Sequence, residues 1–107
     1  MDRPSEVVVL ITAESRGEAL KLSKELLDRK KAACINIVPR VESLFTWNGK
    51  IDCEDEALLV VKTRASVLDE LTALVKELHS YDVPEVIALP IIGGNEDYLK
   101  WVRDEVE

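Results

Sequence analysis

Histidine and paired cysteine, the usual means of holding a metal ion, are nearly missing. The 107-residue sequence has one His, His79, and two Cys, Cys34 and Cys53, at no short spacing. That excludes the zinc-finger patterns and a disulfide framework. No Gly-x-Ser-x-Gly, Walker loop or His-Glu-x-x-His occurs, so no short motif encodes a nucleophile, a phosphate cradle or a protease metal helix, and a non-enzyme is expected. Apolar runs stop well short of the ~20 residues a membrane helix needs. Met1 to Glu6 lacks the basic-then-apolar pattern of a signal peptide, which makes the cytoplasm the expected compartment, with no membrane partner. Basic residues are outnumbered, 14 Lys and Arg against 21 Asp and Glu, for a net charge of −7. A phosphate-binding surface needs the opposite balance, so nucleic acid is not an expected partner. With no repeat or linker, and 47% apolar and 33% charged residues, the chain suits one compact domain over residues 1–107.

What is present centres on residues 32–63. An apolar run from Ala32 to Val38 is kinked at Pro39 and followed by alternation, Val41, Ser43, Phe45 and Trp47 against Glu42, Leu44 and Thr46. Asn48-Gly49 follows, then Lys50 to Glu56 and a second apolar run from Ala57 to Val61. An Asn-Gly pair between strand-like runs favours a type I′ turn, whose twist matches paired strands, so the spacing predicts one long antiparallel hairpin. With residues 47 and 50 flanking the turn, simple pairing sets Cys53 opposite Leu44 and Cys34 opposite Thr63. The cysteines then stand about 33 Å apart and cannot bond within one chain.

Around that hairpin, Val7 to Ile11 reads as a strand. Ser15 and Glu18 have capping-box spacing at the head of a helix striped with Ala19, Leu22 and Leu26, which ends near Lys30-Lys31. After the hairpin, Ser66 is placed to cap a second helix carrying Leu68, Leu71, Val75 and Leu78. Val86 to Ile92 reads as a fourth strand; Pro90 in it, like Pro39, belongs at an edge or bulge. Asn95 is placed to cap a last helix with Leu99, Val102 and Val106 on one face and Tyr98 and Trp101 on its flank. The order is βαββαβ plus a C-terminal helix, an α+β fold of the ferredoxin-like class with one antiparallel sheet. Its strands are apolar on both faces, yet the topology covers only one face with its own helices. Exposed apolar surface of that extent predicts an oligomer of face-to-face sheets, with the hairpin as an arm and Trp47 packed on a neighbour.

Few residues carry candidate chemistry. Cys34, inside an apolar strand, is either a small buried hydrophobe or a thiolate ligand. Cys53 stands among Asp52, Glu54, Asp55 and Glu56, which raise a thiol pKa; this is either a solvated acidic hairpin or a site for a soft or borderline cation. His79 follows a helix end, where the carbonyls favour a protonated capping ring, with metal ligation as the alternative. Lys62 ends a strand where Tyr81, Glu85, Tyr98 and Trp101 gather if the last helix folds over that end of the sheet. This is a ligand pocket or a salt bridge among packed rings.

Ala32-Ala33-Cys34-Ile35-Asn36, Trp47-Asn48-Gly49-Lys50-Ile51, Leu59-Val60-Val61-Lys62-Thr63, His79 to Glu85 and Tyr98-Leu99-Lys100-Trp101 stand in the order and spacing of the CutA family of divalent-cation tolerance proteins, which the chain resembles over nearly its whole length. The resemblance implies a ferredoxin-like homotrimer whose hairpins engage neighbours, with Pro39, Phe45 and Trp47 at the interface. It implies binding of copper or another divalent ion, not needed for the fold, and a part in the response to metal ions without established catalysis. Metal ligands of some members map to Cys34 and His79; two further ligand positions hold Ile11 and Leu78. PII-like signalling trimers share this architecture and bind small effectors between subunits, which makes an effector sensor the alternative.

Overall fold

In the computed structural model, residues 5–107 are described; the polar start, Met1 to Pro4, lies outside them. The elements are β1 (Glu6–Ala13), α1 (Arg16–Asp28), β2 (Cys34–Trp47), β3 (Lys50–Arg64), a 3-10 turn (Ala65–Val67), α2 (Leu68–Leu78), β4 (Val86–Pro90) and α3 (Glu96–Glu105). All pairings are antiparallel in one sheet of order β2-β3-β1-β4, the ferredoxin-like arrangement expected.

One face of the sheet is closed. Val7, Val9, Ile11 and Ala13 of β1 and Ala57, Leu59 and Val61 of β3 are buried against Ala19, Leu22 and Leu26 of α1 and Leu71, Leu74 and Val75 of α2. The helix starts follow local chemistry only in part. The Ser15 hydroxyl accepts the Glu18 N–H, but the Glu18 carboxylate takes the Glu14 N–H rather than closing the capping box on Ser15. Ser66 does not cap α2: it lies inside the 3-10 turn, and no side chain caps the first turn of α2. Asn95 caps α3, accepting the Asp97 N–H. The fourth strand ends at Pro90, short of the Ile92 expected; it is an edge strand in which Pro90 faces Val7 without having to donate, and the Ile91 N–H just beyond still reaches the Glu6 carbonyl at 3.1 Å.

The hairpin holds the main departure from expectation. Asn48 and Gly49 both have positive φ, 51° and 77°, the signature of a type I′ turn, and Leu44 pairs with Cys53 as predicted. Further along, the pairing shifts between Val38 and Val41, where Pro39 and Arg40 oppose Ala57 alone. This is a bulge, and it moves Cys34 from Thr63 to Lys62. A one-residue slip exchanges the faces of a strand. Before the bulge Ile35 and Ile37 face the core; beyond it Val41, Ser43, Phe45 and Trp47 share the opposite face with Glu56, Glu54 and Asp52. The hairpin projects from the body, which raises the radius of gyration to 14.4 Å against about 13 Å for a compact chain of this length.

This division between core and arm sets mutational costs. Leu59→Ala, at a fully buried position, is expected to cost about 2–5 kcal/mol in urea unfolding, whereas Ser43→Ala on the arm should stay within about 0.5 kcal/mol. Similar losses at both positions would contradict a core confined to the helix-covered face.

Candidate functional site on the uncovered sheet face

The second face of the sheet is only partly covered. Register places Cys34, Lys62, Val8 and Leu89 in one row across the four strands and Asn36, Val60, Leu10 and Ile87 in the next. Val38, Leu58 and Thr12 form a third row. Helix α3 covers one end. Arg103 clamps it to Glu6 of β1 (Nη1 to Oε1, 2.6 Å) and is itself braced by Glu96 in the first turn of the same helix (2.7 Å), and Leu99, Val102 and Val106 are buried beneath it. Beyond α3 the face stays open: Ile87 and Leu89 are each 51% exposed, and the bulge brings Phe45 and Trp47, the latter 64% exposed, onto this same side.

The α3 end of the face holds Cys34, Asn36, Lys62, Tyr98 and Trp101. Lys62 Nζ donates to the Asn36 side-chain oxygen. Burial and the adjacent Cys34 thiol push the Tyr98 hydroxyl above its ordinary pKa, and its ring packs on Trp101 with centroids 5.6 Å apart. Tyr81 and Glu85 are not in this group, contrary to the gathering predicted. The Tyr81 hydroxyl donates to Glu56 Oε2 at 2.9 Å, and Glu85 precedes Val86, which pairs with Ile11. Lys62 and Glu56 lie six residues apart on β3, about 20 Å, so one subunit separates the two halves of the predicted pocket.

His79 anchors the far end. Its Nε2–H donates to the Thr12 carbonyl at 2.7 Å and its Nδ1 accepts the Tyr81 N–H at 3.0 Å, which assigns the neutral ring and leaves neither nitrogen free. The helix-end role is filled by its backbone instead, His79 N–H donating to the Val75 carbonyl. The expected protonated cap is therefore replaced by a buried pin. Cys34 is level with Val8, and His79 is bound at Thr12 four residues along β1, about 13 Å away, so one chain does not bring these two candidate ligands together. Cys53 is exposed on the hairpin; slight desolvation by its neighbours and then the carboxylates of Glu42, Asp55, Asp52 and Glu54 raise its thiol pKa. Among the described residues no three His, Cys, Asp or Glu side chains are grouped to hold a metal ion.

Sequence reasoning missed Asn36 and Glu18. Asn36 is a polar residue inside an apolar strand, which was its signal; Glu18 was absorbed into the capping box. Glu18 ties two loops together, taking the Glu14 N–H at 3.0 Å and the Ser80 N–H at 2.8 Å, with His79 Nε2 4.0 Å away. Burial alone would raise its carboxyl pKa, but the hydrogen bonds from Ser80 and Glu14 hold it below the ordinary value.

A ferredoxin-like subunit with an overlong bulged hairpin and a half-covered sheet defines a narrow structural class. A family model described as CutA1 divalent ion tolerance protein matches residues 7–105, and the chain belongs to this family. It is 48% identical over 98 residues to the Arabidopsis thaliana protein CutA, chloroplastic, covering 92% of this chain and 54% of that protein. The chain thus spans about half the length of the plant relatives it matches. The structure of the divalent cation tolerance protein Cut A1 of Thermus thermophilus superposes with a TM-score of 0.94 at 44% identity, over 95% of this chain and 99% of that one. The periplasmic divalent cation tolerance protein CutA of Archaeoglobus fulgidus gives 0.92 at 40% identity, over 95% and 99%. These relatives overturn the cytoplasmic expectation: one is described as chloroplastic and another as periplasmic, so a leader pattern missing from residues 1–6 does not assign the compartment. No helix among the described residues is long and apolar enough to cross a membrane.

Because the folded-state pKa of Glu18 lies below its unfolded value, the carboxylate stabilises the fold above about pH 4.5 and loses that effect as pH falls through the lower folded value. Glu18→Gln should cost about 1–2 kcal/mol at pH 7 in urea unfolding, with the gap to the parent closing below pH 4.5. A gap that persists unchanged at acid pH would contradict the assigned role.

Proposed function

We propose that the protein works as a homotrimer in divalent-cation tolerance, binding copper or another divalent ion without catalysing a reaction. One observation carries the assembly: the open apolar face formed by Leu10, Val60, Ile87 and Leu89 continues, through the bulge, into Phe45 and Trp47. Charge supports a head-to-tail contact rather than a two-fold one. One end of the face carries Lys62 and Arg64, and the other carries Glu56 and Glu85 beside Tyr81, so opposite ends of successive copies attract and the contact closes as a ring.

Within this reading Cys34, on the uncovered face, is the principal metal ligand. His79 contributes only by giving up a hydrogen bond, and Cys53 is the alternative on the acidic hairpin. Copper(I) accepts few ligands and favours thiolate, so it suits a chain with so few soft donors better than zinc does. The second reading, an effector sensor of PII type, draws on one observation: the Lys62 and Tyr81 halves of the candidate pocket lie at opposite ends of the face, and two copies are needed to join them.

Native mass spectrometry tests both parts. Trp47→Ala is expected to weaken the trimer to dilution by about 2–4 kcal/mol per interface while leaving subunit circular dichroism unchanged; undiminished trimer would remove the hairpin arm. Copper(I) competition should show at least a tenfold loss for Cys34→Ser, a smaller one for His79→Ala and the least for Cys53→Ser. If Cys53→Ser alone abolishes binding, the acidic hairpin is the site.

A further inference from the structure

Charged groups on the open face lack the partners that charges elsewhere in the chain possess. Lys31 pairs with Glu70 and Lys100 with Asp104, both away from that face. On β3, Ala57, Leu59 and Val61 point into the core, so Glu56, Lys62 and Arg64 stand on the open side, each half-buried. None of the three enters an ion pair among the described residues, and neither does Glu85 just before β4. The acceptor on the Lys62 ammonium is the neutral amide of Asn36. Glu56 takes the Tyr81 hydroxyl on Oε2 at 2.9 Å, which leaves Oε1 for another donor. Glu6, opposite Arg64 in the register, is engaged by Arg103. Six residues of strand, about 20 Å, keep Lys62 from Glu56 within one chain.

Packing this face on a second copy strips water from these groups, and a charge left unpaired there costs more than the same charge in solvent. We propose that Lys62 of one copy pairs with Glu56 of the partner subunit, flanked by a second pair between Arg64 and the partner subunit's Glu85, and that these pairs set which end of one copy meets which end of the next. The proposal rests on the homotrimer reading. Asn36 and Tyr81 are the positioning residues, one aiming the ammonium and the other the carboxylate before the copies meet. Each copy presents one basic and one acidic end, so a ring closes with every contact between unlike ends. Cys34, the cross-strand neighbour of Lys62, then lies beside an ammonium that the partner has neutralised, which lowers the repulsion a metal cation meets at the sulfur.

Charge exchange on the full chain, read by native mass spectrometry and analytical ultracentrifugation, tests the pairing. Lys62→Glu with Arg64→Glu makes both ends acidic, and Glu56→Lys with Glu85→Lys makes both basic. Each should raise the concentration at which the trimer dissociates by at least about a hundredfold, with circular dichroism unchanged. All four substitutions in one chain restore one end of each sign, and the trimer should return. An equimolar mixture of the acidic-ended and basic-ended variants should give pairs but no closed trimer, because an odd ring of two alternating kinds always leaves one contact between like ends. Lys76→Glu, on α2, should change nothing. Where a reversal disturbs folding, Lys62→Met and Glu56→Gln should each weaken the trimer, and together by less than the product of their separate effects, since both remove one contact. A parent chain that is not a trimer removes the homotrimer reading and this pairing with it. A trimeric parent that either reversal leaves equally tight keeps the assembly and overturns the pairing. So does a four-residue exchange that restores nothing, a mixture that closes into trimers as tight as the parent, or full multiplicativity of Lys62→Met and Glu56→Gln.

Discussion

A β-sheet has two faces, and water must be kept from both when both are apolar. In this chain α1 and α2 close one face completely, while α3 covers only one end of the other. The strands were built for more cover than one chain supplies: Val8, Leu10, Leu58, Val60, Ile87 and Leu89 line the second face, in rows whose polar members are Lys62, Asn36 and Thr12. Alternating strands would have solved the problem within the subunit, and their absence makes association the natural way of completing the core.

The bulge at Pro39 and Arg40 ties the hairpin to that requirement. Without it, Phe45 and Trp47 would lie on the same side as the helices, separated from the apolar face they extend. Proline at this point serves the geometry, since it removes one ladder donor where two residues must oppose one. The same bulge turns Cys34 toward Lys62 and Tyr98. A single irregularity in one strand therefore determines both the shape of the interaction surface and the company kept by the candidate ligand.

Much of the fold was legible because local signals agreed with the global arrangement. Asn48-Gly49 set the turn, the periodicity of Leu22 and Leu26 set a helix face, and unbroken apolar strands pointed to a second layer of cover. The bulge was half legible: Pro39 marked the place, but the extra residue and the resulting change of face are tertiary facts that simple pairing from the turn cannot supply. The site was less legible. His79 was noticed as a lone histidine, yet its two hydrogen bonds reach Thr12 and Tyr81, and Thr12 is distant in sequence. Lys62, Tyr81, Glu85, Tyr98 and Trp101 were chosen by residue type, and the topology then divides them between two ends of one face. Such divisions depend on register, which a list of suggestive residues does not contain.

The family's association with divalent cations and the open face belong to one picture if the functional surface is completed between copies. The most direct test is hydroxyl-radical footprinting of the full chain in solution, read by mass spectrometry. Ile87, Leu89 and Trp47, half or more exposed on the isolated subunit, should be protected to the level of core residues, while Val83, 89% exposed and outside that face, reacts freely. Oxidation of Ile87, Leu89 and Trp47 at rates matching their exposure on a single chain would contradict the account.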